Sequence, residues 1–221
     1  MTLINALLVA HIIVVGYWLG AEFVINSTFR HVTVASSMPV ADRQSLFDHV
    51  MNTDQHVRYA LILQLGLGTA LGGLLGLIPG GNVVVVLGGL GAVLFLALVE
   101  VTHRARKSKR GAIFAKADRI VRYVVIAAIT LFGLYGLAGR INLPGWLGVK
   151  LLLFALVIVC GLRIRFELMG YLDAWGKLRE SGSSDAIEQQ LLRYYRRATN
   201  TLLLLWLGIA AITALSIVKP F

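Results

Sequence analysis

Apolar residues dominate six stretches of this 221-residue chain, at about 3–25, 57–78, 83–102, 120–139, 146–166 and 201–218. Crossing ~30 Å of hydrocarbon takes about 20 apolar residues in a helix, so each stretch is long enough or nearly so, and each is too long for an ordinary strand. A segment alone in hydrocarbon must satisfy its own backbone hydrogen bonds, which makes helices the default. The pattern predicts an all-α, polytopic membrane helix bundle with six transmembrane helices in a single integral-membrane domain, 1–221, leaving no soluble domain of any size. The first stretch reads as a mature helix: it has no basic region before it, its apolar run is long, and no A-x-A-like cleavage site follows.

Between the spans the periodicity changes. In 26–56, Leu46, Phe47, Val50 and Met51 recur at helical spacing with polar residues between them. This predicts a short amphipathic interfacial helix, open to continuation into the second span. Residues 103–119 read as a basic loop. In 167–200 the Ser-Gly cluster marks a turn, and Ser184 or Asp185 is placed to cap a helix leading to the sixth span.

Composition agrees with the pattern. Hydrophobic residues make up 57% of the chain and charged ones 14%, against roughly 25% charged in soluble domains. Mean hydropathy is +0.78. The formal net charge of +10 would suit a nucleic-acid partner, but its placement indicates otherwise. Arg104, Arg106, Lys107, Lys109, Arg110, Lys116 and Arg119 separate the third and fourth spans; Lys177, Arg179, Arg193, Arg196 and Arg197 separate the fifth and sixth. The Pro79–Asn82 turn has no basic residue. Alternate loops are basic, the positive-inside pattern, so the expectation is an integral protein of a bacterial inner membrane with basic loops cytoplasmic and both termini outside. The charge then serves topology and anionic lipid, with no nucleic-acid partner. The single cysteine, Cys160, excludes an internal disulfide.

Ionisable side chains inside spans are costly, so each is a site candidate. His11 and Glu22 are separated by eleven residues, about 20° from eclipsed on a helix and about 16 Å apart along it. His11, Val15, Trp18 and Glu22 thus share a stripe, with His11 in the outer half and Glu22 near the inner surface. Lys150 sits at a depth like that of His11, where it either snorkels to the headgroups or shares a pocket with the histidine. A second polar set lies at the inner ends: Glu22, His56, Glu100, His103, Arg163, Arg165 and Glu167. Glu100 and His103 form Glu-x-x-His on one helix face, a pair that di-iron bundles use twice and this chain once. These residues are candidate metal ligands, or ion pairs such as Glu100 with an arginine of a neighbouring helix. No nucleotide-binding loop and no H-E-x-x-H is present. Four Met and one Cys leave soft copper(I) chemistry little support. The glycine-rich runs at 66–76 and 88–91 suit close helix packing.

The chain also contains a faint repeat. "VRY" occurs at 57–59 and 121–123, each followed by an apolar run and then Pro-Gly, with 21 residues from Arg58 to Pro79 and 22 from Arg122 to Pro144. Helices two and three read either as a duplicate of helices four and five in the same orientation, or as a chance likeness between apolar hairpins.

Three segments resemble the HemJ-type protoporphyrinogen oxidases, within a CopD-like superfamily of membrane proteins. "HIIVVGYW" is similar to that family's first helix, with a histidine seven residues before a tryptophan. "GWLGVKLLLFALVIV" resembles its lysine-bearing helix, and "SIVKPF" its Lys-Pro ending. The order is the same, but the family has four helices, the extra hairpin here being 57–102. Gly148 stands where the family has a histidine, and the fourth span lacks the family's Pro and Met. The resemblance implies haem b with His11 as iron ligand and Trp18 beside it, a functional Lys150, a porphyrin-type substrate, and a quinone or other electron acceptor. His56, His103 and Glu100 are further candidate metal ligands. Three function classes stand open: a haem-binding membrane oxidoreductase, a transporter of ions or copper, and a non-enzymatic haem-carrying or anchoring subunit of a homo- or hetero-oligomer.

Overall fold

The computed structural model describes residues 2–106 and 108–220; Lys107 of the basic loop and Phe221 of the Lys-Pro ending lie outside them. The described chain forms six helices: α1 Leu3–Val34, α2 Val40–Leu74, α3 Asn82–Ala105, α4 Gly111–Leu137, α5 Gly145–Ser181 and α6 Asp185–Val218. All six are long and apolar enough to cross a membrane. Helices consecutive in sequence pack side by side, and α6 returns to α1, so the bundle closes as a ring. Its outer surface is apolar: Val83, Val86, Leu87, Leu90, Val93 and Leu94 of α3 all point away from the protein. A lipid bilayer is the environment that such a surface suits.

The glycine-rich runs bring helices together. A Cβ on Gly66 would lie 2.7 Å from that of Ala92, and one on Gly88 would lie 2.6 Å from Thr69 Cγ2, so α2 and α3 meet where side chains are missing. Gly133 and Gly148 do the same for α4 and α5, each approaching the other's helix at backbone distance.

The structure sets the limits of the segments between spans. The helix around residue 47 continues into the second span, the option its periodicity left open: α2 runs unbroken from Val40 to Leu74. The basic loop is shorter than 103–119, because α3 continues to Ala105 and α4 starts at Gly111. α1, α2, α5 and α6 all extend past their apolar stretches and enclose a second core of Phe29, Phe47, Tyr171, Trp175, Leu191 and Tyr195, distinct from the one within the spans. Aromatic rings fill it, with Phe29 and Tyr171 centroids 4.5 Å apart and Phe47 and Trp175 5.0 Å apart. Ser184 caps α6 as its sequence position suggests, its hydroxyl accepting from the Ile187 N–H.

Arg43 holds this second core together. It is fully buried, and its guanidinium donates to both oxygens of Glu188 at 2.7 and 3.0 Å and to the Val32 carbonyl at 3.0 Å. It also lies 5.2 Å from the Trp175 ring centroid. Burial opposes the charge on Glu188, but hydrogen bonds from Arg43 and Ser183 outweigh it and hold the carboxyl below the usual glutamate range. A depressed folded-state pKa means that this stability is present above the unfolded value of about 4.3 and is lost as pH falls through the folded one. Glu188→Gln leaves a buried cation uncompensated and should cost about 3 kcal/mol, whereas Arg43→Met combined with Glu188→Leu should cost less than either single change. Melting curves in detergent at about pH 7 check the ranking, and the wild-type advantage over Glu188→Gln should fade below about pH 4.

Candidate functional site

Two polar regions sit inside the bundle, one at the end that holds His11 and one about midway along the four longest helices. The first is built around His11 on α1. Gln64 of α2, itself buried, donates to the His11 carbonyl at 2.7 Å and fixes the register of α1 against α2. The ring packs beside Gly68, where an added Cβ would lie 3.4 Å from Cε1. His11 Nδ1 is buried and among the described residues has no hydrogen-bond partner. Lys150 of α5 lies at the same end of the bundle. Its ammonium donates to the Ser216 hydroxyl of α6 at 2.8 Å, and Ser216 in turn donates to the Ile212 carbonyl. Lys150 is half-buried and held by a neighbouring helix. Lys219 approaches the Trp146 ring at 5.7 Å, placing a second cation at this end.

Trp18 does not join His11. It is buried, and its indole N–H points to Glu22 at 3.4 Å, one helical turn further on. The sequence stripe is real, but the four-residue step from Trp18 to Glu22 brings those two into hydrogen-bond range, while seven residues separate Trp18 from His11.

Trp18 and Glu22 instead line a cavity of about 120 Å³ toward the α3–α4 loop end. Asp54 and Arg58 enter it from α2, Arg122 from α4 and Arg165 from α5. Arg58 binds Asp54 one turn earlier at 2.5 Å, and Arg122 binds Asp118 one turn earlier at 3.1 Å. Arg165 reaches across from α5 to the same Asp118 at 2.7 Å. Asp118 is 1% exposed and carries both cations; Asp54, at 29%, carries one.

This site gives the repeat a physical content. Read three residues further back, the "VRY" match becomes Asp-x-x-Val-Arg-Tyr in both copies, at 54–59 and 118–123. Each Asp and Arg stand four apart, the spacing at which helix side chains meet. The signal was in the sequence, but Asp54 and Asp118 precede the apolar stretches and were not among the candidates.

The remaining candidates are spread out. His56 pairs with Tyr17 at 2.5 Å. Glu100 accepts from Tyr59 of α2 and from Arg104 of its own helix, not from an arginine of a neighbouring one. His103 stays half-exposed on the next turn. Among the described residues no three His, Cys, Asp or Glu side chains gather where a metal ion could be held, so His56, His103 and Glu100 do not form a joint metal site. Comparisons with protein-family models, curated proteins and solved structures found no match.

The two copies of the motif should respond differently to the same change. Asp118→Asn strands two partly buried guanidiniums and should lower stability by about 3 kcal/mol. Asp54→Asn loosens a pair that solvent reaches, and should cost about 1 kcal/mol or less. Thermal melts of the purified variants in one detergent measure the difference; equal losses would show that the buried copy holds no special structural position.

Proposed function

We propose that the protein is a haem-binding integral-membrane oxidoreductase, with its basic loops cytoplasmic, both termini outside, and haem b held at the His11 end of the bundle. The observation that carries this reading is an imidazole whose buried nitrogen has no hydrogen-bond partner among the described residues, at the same end of the bundle as a half-buried lysine. Neutral imidazole is a standard axial ligand to haem iron, and an acidic macrocycle needs a cation for its carboxylate arms. The resemblance to HemJ-type sequences independently selects the same two residues.

The donor set at this end suits the group, and that at the other does not. His11 offers the nitrogen, Gly68 places no side chain beside the ring's Cε1, and Lys150 offers the countercharge. The cavity by Trp18 and Glu22 has no histidine in its lining, and at about 120 Å³ it is smaller than the roughly 300–1,000 Å³ of typical ligand pockets. Trp18, whose indole N–H points to Glu22, is not given a role at the iron in this reading.

When bound, haem supplies one-electron chemistry, here between a porphyrin-type substrate and a quinone or similar acceptor. The chain's own residues bind and orient. His11 would hold the iron, with Gln64 fixing its backbone. Lys150, steadied by Ser216, would pair with a carboxylate or pass a proton to one. A second reading, a carrier of small ions, is favoured by the two facing copies of Asp-x-x-Val-Arg-Tyr, since transporters often place charged sites where repeats meet.

Protein expressed with haem supplied and purified in detergent should show a Soret band, and His11→Ala should abolish it. Lys150→Met should keep the band while lowering porphyrinogen oxidation at least about tenfold, the loss of one charge contact in a dry site. A wild-type protein without the band removes the haem reading; an unchanged spectrum in His11→Ala removes the ligand assignment.

A further inference from the structure

The cavity at the α3–α4 loop end has a chemistry of its own, and the inference drawn from it does not depend on haem. Its walls are mainly apolar, with Trp18, Phe29, Leu61, Leu162 and Leu205 among them. Charge enters from four helices: Glu22 on α1, Asp54 and Arg58 on α2, Arg122 on α4 with Asp118 behind it, and Arg165 on α5; α6 contributes the Thr199 hydroxyl and no charge.

Donors outnumber acceptors there. Guanidinium is donor-only. Arg165 commits Nη1 to Asp118, Arg58 commits Nε and Nη2 to Asp54, and Arg122 commits Nε and Nη2 to Asp118. The remaining N–H groups of these forks have no protein acceptor among the described residues. Asn26 Oδ1, the one amide oxygen nearby, is already taken by Thr199 at 3.0 Å. Glu22 is the exception on the acid side. It is 7% exposed, lines the cavity, and among the described residues no cation lies within ion-pair distance of it. Its recorded hydrogen bond is the 3.4 Å contact from Trp18.

Formal charge then points to an occupant. Three arginines face two ion-paired aspartates and Glu22, so the cluster is neutral with Glu22 ionised and carries one positive charge with Glu22 protonated. A single monoanion restores neutrality in the second state. We propose that this cavity binds a small aliphatic carboxylate together with one proton. The ligand's oxygens accept from the open donors of Arg58 and Arg165. Its tail lies against the apolar wall. Glu22, taking the proton from solvent, donates its O–H instead of opposing the incoming charge, because two carboxylates sharing a site cannot both ionise readily. An apolar cavity of roughly 150 Å³ accommodates benzene, so about 120 Å³ limits the tail to about three or four carbons.

Butyrate, butyramide and butylamine serve as probes, titrated calorimetrically into the detergent-purified full-length protein at about pH 6 and pH 8. Butyrate should bind with uptake of one proton and at least about tenfold more tightly at pH 6, while butyramide binds at least about tenfold more weakly than butyrate. Glu22→Gln should bind butyrate with an affinity that no longer changes with pH. Arg165→Gln should lose it more than about tenfold with an unchanged helical circular-dichroism signal; if that variant misfolds, Arg58→Gln takes its place. Absence of butyrate binding, equal binding of butyramide, or a preference for butylamine that Glu22→Gln removes would each overturn the proposal. Because none of these readouts involves haem, failure here and failure of the Soret test remain distinguishable.

Discussion

A buried guanidinium must be neutralised by the chain itself, and Arg43 shows how much structure that requirement can organise. It belongs to α2, donates to a carbonyl of α1, pairs with a carboxylate of α6 and lies over an indole of α5. The four longest helices therefore meet on one side chain. Removing a charge from water costs several kcal/mol unless geometry and hydrogen bonds compensate, so Arg43 fixes the relative register of those helices more sharply than aromatic packing alone. The aromatic cluster around it adds bulk: Tyr171 is fully buried, with its hydroxyl 3.1 Å from that of Thr33 and its pKa pushed up to about 12, chiefly by burial.

The same requirement is met again within α2 and α4, now in two copies. Each copy pairs an aspartate with an arginine one turn later. The copies differ in what surrounds them: Asp118 is enclosed and acquires Arg165 as a third member, while Asp54 stays within reach of solvent and keeps one partner. A repeated local device has thus been placed in two unequal environments, and the cavity lies between them. Glu22, opposite and without a cation, is what separates this arrangement from a purely structural ion-pair network.

The other end of the bundle is organised by positions that lack bulk or charge compensation. Gly133 and Gly148 let α4 and α5 approach at backbone distance, and Gly68 leaves room beside the His11 ring. Lys150 and Lys219 share this end, with a serine hydroxyl and an indole face as their recorded partners. An acidic ligand matches such a region electrostatically. The two ends are accordingly different in kind: near His11 the cations have hydroxyl and aromatic neighbours, and near Glu22 they are largely paired.

The number and approximate limits of the helices were legible in the sequence, because hydrocarbon imposes a length and an apolar composition that few other structures need. His11 and Lys150 were also legible as residues that an apolar span does not carry without reason. What the sequence could not show was how far the helices continue beyond the apolar stretches, since periodicity alone does not reveal that Phe29, Phe47, Tyr171 and Trp175 face one another. Helical spacing put Trp18 on the same stripe as both His11 and Glu22, and only the folded side-chain positions assigned it to Glu22. The pairing of Asp118 with Arg165, and of Arg43 with Glu188, joins residues 47 and 145 positions apart. Contacts of that kind are decided by which helices become neighbours in the ring, a property of the packed bundle and not of any single stretch of chain.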